Sequence, residues 1–479
     1  MINDHLENKI AQLDSDIEAH TGGIVTSATQ RNRVLCNLEM NREAADTHIA
    51  NREFLKSNGV TVPRFSVKEI PGITLDNLQG DNIEQVLATW VLSEYDRYLL
   101  ENYMAKNHAS VAKFKKMLLQ VCDDGTIKGN LQYHGAGTGR DAARGVQLQN
   151  LPRATAKDPE QLLKWFALHD TATLDMIFEI LETASTLIRP SLQAPVGSKF
   201  VVSDYGQVEA RGAAWTAKEE KILQNFRDGV PVYEAQAADM YDVAIDDVEP
   251  LQRQYGKLAV LACGYQGSHK ALTKFAENYG LTIERKEAGK VVRAFRTSRP
   301  LLVDSWSNFG AAAVAATNAP GKRIQVPKCQ HAVFQMQGKH LTLELPSGRK
   351  IWYPEADVRV VTVRYEDEET GETRTFQAES VTCKKLVGAR WLRGGISGGN
   401  FFQNYVQAIC RDMIMVAALR AGKAGYPVVG RIHDELITLV PDDSRYSIAE
   451  LNKIMEVLPE WATNFPIKAA GYESKRYKK

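Results

Sequence analysis

The stretch at 199–211, KFVVSDYGQVEAR, guides the interpretation of the whole chain. It opens with Phe200, Val201 and Val202, an aromatic and β-branched run that predicts a buried strand. Asp204 follows where that strand is expected to end, and a carboxylate there is a suitable oxygen ligand for Mg²⁺. Aspartates beside strands are more often turn formers or helix caps, so this stretch gains meaning only together with others.

A second apolar stretch, RIHDELITLV at 431–440, carries His433, Asp434 and Glu435 in succession. We expect it to form another strand, with Asp434 as the partner of Asp204. Two such carboxylates brought together predict a two-metal site for phosphoryl transfer.

The composition bounds the class of protein. With ~150 residues per domain as a guide, 479 residues correspond to about three structural units, and 44% of the residues are hydrophobic. The net charge of +1 gives no global basic field, so a nucleic-acid partner must be held by local patches.

Cysteine spacing and hydropathy indicate the compartment. The six cysteines are scattered without a CxxC pair, which argues against a disulfide framework or a zinc site and fits a reducing compartment. No apolar run approaches the ~20 residues of a membrane span, and the N-terminus is polar rather than signal-like. We therefore expect a soluble, cytoplasmic protein without a membrane partner.

The region 1–120 has mainly helical patterns. Within it, 25–40 begins with Ser27 and Thr29 as candidate helix caps. A local basic cluster follows and is equally compatible with a solvated helix face and with a surface that grips a phosphate backbone. Its members are Lys113, Lys115 and Lys116.

The stretch 123–153 is rich in glycine, arginine and amide side chains. Flexible glycines let the backbone approach a ligand, arginines contact phosphates or base edges, and amides read base edges. A generic surface loop is the alternative interpretation. The polar residues are Arg140, Arg144, Gln147, Gln149, Asn150 and Arg153.

The stretch RQYGKLAVLACGYQG at 253–267 carries four residues at a spacing of four, which on a helix gives one face. Two cations and a ring along one face suit a triphosphate and a sugar or base. An ordinary amphipathic helix is the alternative. The four residues are Arg253, Lys257, Leu261 and Tyr265.

Two later segments complete the pattern. Residues 350–395 look like an insertion, and 357–386 predicts a β-hairpin with a charged turn and no obvious chemistry. A solvated insertion is the favoured interpretation over a partner surface. Residues 401–422 predict a helix that carries Gln407 in a largely apolar stretch.

Taken in order, these stretches resemble the polymerase region of family A DNA polymerases, the class of bacterial DNA polymerase I, and look closest to phage members. The resemblance covers nearly the whole chain from about residue 10. It rests on TGR…LQNLPR, DYGQVEAR, R-x3-K-x7-YQG, a Gln-bearing helix and IHDE, in that order.

The resemblance implies an α+β fold of the right-hand polymerase type, with an antiparallel palm sheet and helical fingers and thumb. It implies a thumb with an N-terminal lead-in at 1–120, and a palm split between 121–210 and 396–479. The fingers would occupy 211–395 and include the hairpin near 357–386.

The resemblance also implies an activity. The chain would be a DNA-templated DNA polymerase that extends a primer 3′-OH with dNTPs by two-metal phosphoryl transfer, in phage DNA replication and hence in the host cytoplasm. The cofactor would be two Mg²⁺ ions, with Mn²⁺ as a substitute. The partners would be primer-template DNA and dNTPs, and a separate exonuclease or processivity subunit is left open.

Residue roles follow from the matching motifs. Asp204 and Asp434 would bind the metals together with the carbonyl of Tyr205. Substrate binding falls to Gln207, Glu209, Arg253, Lys257, Leu261 and Tyr265, with Glu209 excluding ribonucleotides and Lys257 also counted as catalytic. DNA contacts fall to Arg140, Gln149, Asn150, Gln407, His433 and Glu435.

Some features depart from the family pattern. Leu261 stands where Phe or Tyr is usual, which puts stacking on the incoming sugar in question, and Gly206 and Gln266 replace the common Ser and Gly. Upstream, the Asp16–Glu18 DxE lies in a helical run, so we expect no 3′–5′ exonuclease domain.

Two other functions share parts of this pattern. A single-subunit RNA polymerase shares the palm, but Glu209 as a sugar gate argues against it. A binding subunit with a retired active site is disfavoured because Asp204, Lys257 and Asp434 are all retained.

Overall fold

The computed structural model describes residues 1–23, 25–27, 83–84, 86–87, 92–106, 109–277, 279, 281–329, 331–367, 370–387 and 390–478. The predicted cap at Thr29 and most of the helix expected at 25–40 lie outside these residues. Among the described residues, no helix is both long and apolar enough to cross a membrane.

The chain forms two compact units. The first contains 1–130, 143–193 and 476–479, and the second contains 131–142 and 194–475. The thumb, palm and fingers boundaries inferred from the sequence stay predictions.

The first unit is helical in its described part. A small core of aliphatic side chains, including Ile17, Leu99 and Leu100, joins its helices. Arg189 donates to the carbonyls of Leu151 and Pro152 at 2.8 and 2.7 Å and so fixes the segment after the 3₁₀ turn Leu148–Asn150. The helices are α1 (Ile2–His20), α2 (Glu94–Lys106), α3 (Ala109–Gln120), α4 (Pro159–Leu168), α5 (Thr171–Ile177) and α6 (Ile180–Thr186).

The second unit contains most of the apolar core. Its helices are α7 (Val208–Ala217), α8 (Glu220–Arg227), α9 (Val232–Tyr241), α10 (Pro250–Cys263), α11 (His269–Glu277), α12 (Arg285–Ser298), α13 (Pro300–Asn318), α14 (Gly398–Lys423) and α15 (Ile448–Glu456). The long helix α14 is capped by Ser397, which accepts from the Asn400 amide at 3.2 Å. Phe309 of α13 packs its ring against Phe402 and Tyr405 of α14.

A four-stranded antiparallel sheet positions the candidate site. Its strands are β3 (Ser198–Tyr205), β11 (Val428–Ile432), β12 (Glu435–Pro441) and β13 (Ala469–Ser474). They lie in the order β11-β12-β3-β13. Helix α15 is fixed to β3 by hydrogen bonds from Ser203 to Asn452 at 2.6 Å and from the Tyr205 hydroxyl to the Met455 carbonyl at 2.7 Å. The strand predicted at 200–202 is confirmed.

Two further sheets lie between α13 and α14 in the sequence. Their strands are β4 (Arg323–Gln325), β5 (Val333–Gln337), β6 (His340–Glu344), β7 (Lys350–Tyr353), β8 (Asp357–Glu366), β9 (Thr373–Val387) and β10 (Arg390–Ile396); two-residue strands β1 (Leu131–Gln132) and β2 (Ala142–Ala143) precede them in sequence. The order of one sheet is β4-β5-β6-β7, and that of the other is β10-β9-β8. The hairpin expected at 357–386 is present as β8 and β9, and β10 extends it to a three-stranded meander.

Candidate active site

The pairing of β3 with β12 brings the predicted carboxylates to the same end of the sheet. Asp204 of β3 lies opposite Glu435 of β12 in the antiparallel register. The main-chain amide of Tyr205 donates a hydrogen bond to the carbonyl of Asp434 at 3.2 Å. Residues distant in sequence therefore become neighbours through strand pairing.

Asp434 itself lies in a turn rather than in the strand that its apolar surroundings predicted. Strand β11 ends at Ile432 and β12 begins at Glu435, so His433 and Asp434 form the two-residue connection. His433 has a φ of 54°, a left-handed conformation that strands exclude and that tight hairpin turns require. The expectation of one continuous strand was therefore wrong at these two positions.

The donor set at this end of the sheet fits Mg²⁺. Asp204 and Asp434 are partly exposed, whereas Glu435 is only 2% exposed. Within the described part of the chain, no group of three or more His, Cys, Asp and Glu side chains is arranged as a metal site. A pair of carboxylates with backbone carbonyls suits Mg²⁺, which usually keeps waters and substrate phosphates among its ligands.

Tyr205 can offer its main chain to such a site, because its side chain is committed to the core. The ring is buried, and burial raises the pKa of its phenol. In the sheet, Tyr205 lies opposite Ala469 of β13. Gln207 is exposed and adopts a left-handed conformation with φ 54° directly before α7.

Glu209, in the first turn of α7, links three sequence-predicted residues. One carboxylate oxygen accepts from Arg140 at 2.5 Å, and the other accepts from the Tyr265 hydroxyl at 3.0 Å. Burial opposes the charge of Arg140, but the neighbouring carboxylate raises the guanidinium pKa above its ordinary value. Burial and the same carboxylate raise the pKa of Tyr265.

Tyr265 reaches Glu209 from a position beyond its helix. Helix α10 ends at Cys263, so the expectation that Tyr265 continues the face of Arg253 and Lys257 was wrong. The chain at Gly264 is held by the Trp306 indole, which donates to its carbonyl at 3.2 Å. This break re-aims the Tyr265 ring toward α7 instead of along α10.

The departure at Gln266 has a structural role. Its side-chain oxygen accepts from the amide of Gly399 at the start of α14, at 3.1 Å. A Cβ on Gly399 would come within 2.5 Å of the Gln266 Cβ, so the contact requires glycine there. The two residues together join the segment after α10 to the start of α14.

The two cations of α10 contact protein groups. The Nε of Arg253 lies 2.5 Å from the Glu234 carboxylate. The Nζ of Lys257 lies 4.1 Å from the centroid of the Tyr279 ring. Leu261, one turn further, is exposed and presents an aliphatic surface. The three residues therefore follow the predicted helical spacing, with Tyr265 as the exception.

The predicted DNA-contacting residues divide between the two units. Gln407 lies half-buried on α14, and His433 is exposed in the turn beside Asp434. Gln149 and Asn150 belong to the 3₁₀ turn of the first unit, where the side-chain amide of Asn150 donates to the side-chain oxygen of Gln147 at 3.0 Å. Their assignment to the site stays a prediction.

Sequence reasoning missed one pair that supports the site. Arg431, the residue before Ile432 on β11, donates from two nitrogens to one carboxylate oxygen of Asp141 at 3.0 and 2.6 Å. The pair connects the residue next to Arg140 with the strand that leads into Asp434. Only the opposite charges were visible in the sequence, and nothing in the spacing indicated that they meet.

The sequence pattern of DNA polymerase family A matches residues 84–340, more than half of the chain. The chain belongs to DNA polymerase family A. The DNA polymerase of Bacillus phage SP02 is 34% identical over 423 residues, which cover 86% of this chain and 61% of the phage protein. DNA polymerase I of Pseudomonas aeruginosa is 29% identical over 216 residues, 44% of this chain and 20% of that protein.

This family A chain thus spans 61% of the length of the phage relative. A solved structure, the POL domain of Pol1 from M. smegmatis in complex with a DNA primer-template and dNTP, aligns with a TM-score of 0.59. The alignment covers 100% of this chain and 66% of that one at 16% sequence identity, and so shows a shared fold. The α+β polymerase fold predicted from the sequence is confirmed.

Proposed function

We propose that this chain is a DNA-templated DNA polymerase that extends a primer 3′-OH with dNTPs. One observation carries the proposal: pairing of β3 with β12 gathers Asp204, Asp434 and Glu435 at one end of the sheet. Membership of family A supports it, as do relatives that are themselves named DNA polymerases.

Asp204, Asp434 and the carbonyl of Tyr205 are the groups that would hold two Mg²⁺ ions, with Mn²⁺ as a substitute. When bound, such ions activate the primer hydroxyl and neutralise charge that develops on the phosphates. The chain contributes an oxygen-only donor set on a rigid element, because β3 is fixed between β12 and β13.

Arg253 and Lys257 would bind the triphosphate of the incoming nucleotide. Both cations have partners that a more highly charged anion can replace: Arg253 pairs with the partly exposed Glu234, and Lys257 contacts only the π-face of the Tyr279 ring. A triphosphate carries more charge than either partner and accepts more hydrogen bonds. Lys257 would then stabilise the charge that develops during phosphoryl transfer.

Glu209 would exclude ribonucleotides by occupying the space beside the sugar. A steric gate must not move aside, and both oxygens of this carboxylate are already held, by Arg140 and Tyr265. Gln207 and Leu261 would complete the nucleotide pocket. The gate is therefore built from residues of the glycine-rich loop, α7 and the segment after α10.

Arg140 and Gln407 would contact the minor groove near the primer terminus. Acceptor atoms occur there in every base pair, so such contacts report correct pairing geometry rather than sequence. His433 and Glu435 flank Asp434 near the primer end, and Gln149 and Asn150 would contact DNA from the other unit. Replication of phage DNA in a host cell is the biological setting we assign, from the similarity to the phage polymerase.

Primer extension on a defined template with Mg²⁺ and four dNTPs tests the proposal. Wild type should extend the primer, and Asp434→Asn should abolish extension while still binding primer-template. Asp442→Asn is the matched control, because Asp442 follows the opposite end of β12 and pairs with Lys475 at 2.5 Å. Equal extension by wild type and Asp434→Asn would refute the site assignment.

A further inference from the structure

An ionic cluster away from the candidate metal ligands joins the turn between β6 and β7 to helix α14. The Nε of Arg349, the residue before β7, donates to one carboxylate oxygen of Asp412 on α14 at 2.8 Å. The other oxygen accepts from the Ser347 hydroxyl at 2.5 Å. Both charged side chains are largely buried, with 19% of Arg349 and 6% of Asp412 exposed. Because both carboxylate oxygens are bound, the pair fixes the turn against the helix.

The same guanidinium reaches the turn of α14 that follows Gln407. Its Nη2 donates at 3.2 Å to the carbonyl of Ala408, the residue next to Gln407. Asp412 lies four residues beyond Ala408, about one helical turn. Arg349 therefore spans the turn of α14 directly after Gln407, and its position depends on that of a predicted minor-groove residue.

The remaining nitrogen of Arg349 lies against the glycine-rich loop. Gly139, the residue before Arg140, is buried and has a φ of 88°. A Cβ there would lie 2.4 Å from the Nη1 of Arg349, so the loop backbone packs directly on the guanidinium and requires glycine. The Ala136 amide donates to the Arg140 carbonyl at 3.0 Å and closes the loop as a tight turn. A displacement of Arg349 is therefore transmitted to Arg140.

A second arginine contacts the start of the same loop. Arg411, next to Asp412 on α14, donates to the carboxylate oxygen that also binds Arg349, at 3.2 Å. The guanidinium carbon of Arg411 lies 5.2 Å from the centroid of the Tyr133 ring. Tyr133 and Gly139, six residues apart, thus each contact an arginine that is bound to Asp412.

Stability of the fold does not account for the whole cluster. The Nη1 of Arg349 is buried and has no hydrogen-bond partner among the described residues, and the same holds for the Nε and Nη2 of Arg411. An unsatisfied buried donor costs free energy, and burial lowers the pKa of Arg349. Local costs of this kind are typical of residues that hold functional groups in place.

We propose that Arg349 is a positioning residue for recognition of the primer terminus. It holds the loop that carries Arg140 in register with the turn of α14 that carries Gln407, so that both side chains reach the same terminal base pair. The inference rests on the minor-groove roles proposed above for those two residues. A matched pair presents its acceptors to both contacts, whereas a mismatched pair displaces them and gains nothing from the register.

The test measures single-nucleotide extension of primers that end in a matched or a mismatched base pair. Discrimination is the ratio of kcat/KM for the matched primer over that for the mismatched one. Arg349→Ala should lower discrimination about tenfold, because misplaced contacts slow the matched reaction. The loss should lie in kcat on the matched primer, with KM for dNTP and the rate on the mismatched primer nearly unchanged.

Two further variants control for the loss of an ion pair and for unfolding. Arg323→Ala is the matched control, because Arg323 lies in the same sheet and donates two hydrogen bonds of 2.8 Å to Glu344; it should keep wild-type discrimination. Arg349→Lys keeps a cation beside Asp412, but a single nitrogen cannot replace the guanidinium fork. This variant should unfold at nearly the wild-type denaturant concentration and still lose about threefold in discrimination. Wild-type discrimination in Arg349→Lys would overturn the proposal.

The double variant Arg140→Ala/Arg349→Ala separates positioning from a general weakening of the fold. If Arg349 acts through Arg140, the double variant should discriminate about as poorly as Arg140→Ala alone. Fully additive losses would overturn the proposal, and so would an equal fall in kcat on both primers in Arg349→Ala, because either result is expected of a purely structural residue.

Failure of the proposed function would give a different result. If the chain were not a polymerase, wild type would extend neither primer, and the inference would fall with the function. If wild type extends the matched primer and Arg140→Ala loses discrimination while Arg349→Ala keeps it, only the inference fails.

Discussion

The guanidinium of Arg140 donates a hydrogen bond to the carboxylate of Glu209 at 2.5 Å, although the residues are 69 positions apart in sequence. The second oxygen of that carboxylate accepts from Tyr265. A residue from the glycine-rich loop and one from the segment after α10 therefore fix the same side chain. The arrangement makes the orientation of Glu209 depend on both neighbours, and each can be tested separately.

Replacing Glu209 with alanine should relax ribonucleotide exclusion. The side chain would no longer fill the space beside the sugar, and the ratio of kcat/KM for dNTP over rNTP should fall about 10- to 100-fold, the range for a steric difference of this size. Single-nucleotide incorporation with matched dNTP and rNTP measures the ratio.

Glu209→Gln is the control for charge, because it keeps the volume of the side chain but weakens the contact with Arg140. It should retain most of the exclusion while losing some kcat. If Glu209→Ala rejects ribonucleotides as strongly as wild type, the gate assignment is wrong.

Removing the Tyr265 hydroxyl should weaken nucleotide binding without unfolding the protein. Tyr265→Phe keeps the ring, whose centroid lies 6.1 Å from that of Phe402, and removes only the hydrogen bond to Glu209. A buried hydrogen bond to a charged group contributes about 1.5 kcal/mol or more, so KM for dNTP should rise about tenfold. Steady-state incorporation measures KM, and an unchanged value would show that the bond is not kept in the substrate complex.

The Asp141–Arg431 pair should position the metal-binding turn. Asp141→Ala leaves the guanidinium of Arg431 without its anion, so the turn that carries Asp434 should shift slightly. Such a displacement of Asp434 should lower kcat by about 10- to 100-fold. Affinity for primer-template should change little. The double variant Asp141→Ala/Arg431→Ala should be no worse than the single variants, because both remove the same interaction. Fully additive losses would show that the residues act independently.

The sequence predicted the parts of the site that depend on local pattern. The run 200–202 indicated β3, and the spacing of Arg253 and Lys257 indicated α10, because strand and helix periodicities are local properties. The apolar run at 431–440 indicated Asp434 as the partner of Asp204, and the resemblance then supported that pairing. The hydrophobic alternation around 333–344 and the glycine at 338 carry the same kind of local signal for β5 and β6.

Other features depend on tertiary structure. The turn at 433–434 interrupts an apolar run, and only the pairing of β11 with β12 selects the left-handed His433. Tyr265 continues the helical spacing of α10 but leaves the helix, because Trp306 and Glu209 bind its segment from outside. Local secondary-structure propensity does not depend on residues that are distant in sequence, so it cannot indicate these contacts.

Acid should weaken the attachment of β13 to β3. Hydrogen bonds from Lys199 and from the Ile448 amide lower the pKa of Glu473, and burial opposes them only in part. A lowered folded-state pKa contributes stability that is present above the unfolded pKa of about 4.5 and is lost as pH falls through the folded value. When the free energy of unfolding is measured by chemical denaturation at pH 7 and at pH 3, it should therefore fall less in Glu473→Gln than in wild type. Identical pH profiles would show that Glu473 makes no such contribution.

Adding a methyl group at Gly471 should disrupt the sheet beside Asp204. A Cβ there would lie 1.9 Å from the carbonyl oxygen of Val202 in β3. The residue before Gly471, Ala470, lies opposite Asp204 in the same strand pair. Backbone cannot yield as a flexible side chain can, so Gly471→Ala should cost at least the ~1–3 kcal/mol typical of overpacking and also lower polymerase kcat. Gly394→Ala is the matched control, since Gly394 is also in a strand but a Cβ there would meet no atom within 4 Å. Chemical denaturation and primer extension measure the two effects, and equal losses in both variants would contradict the role assigned to the close approach at Gly471.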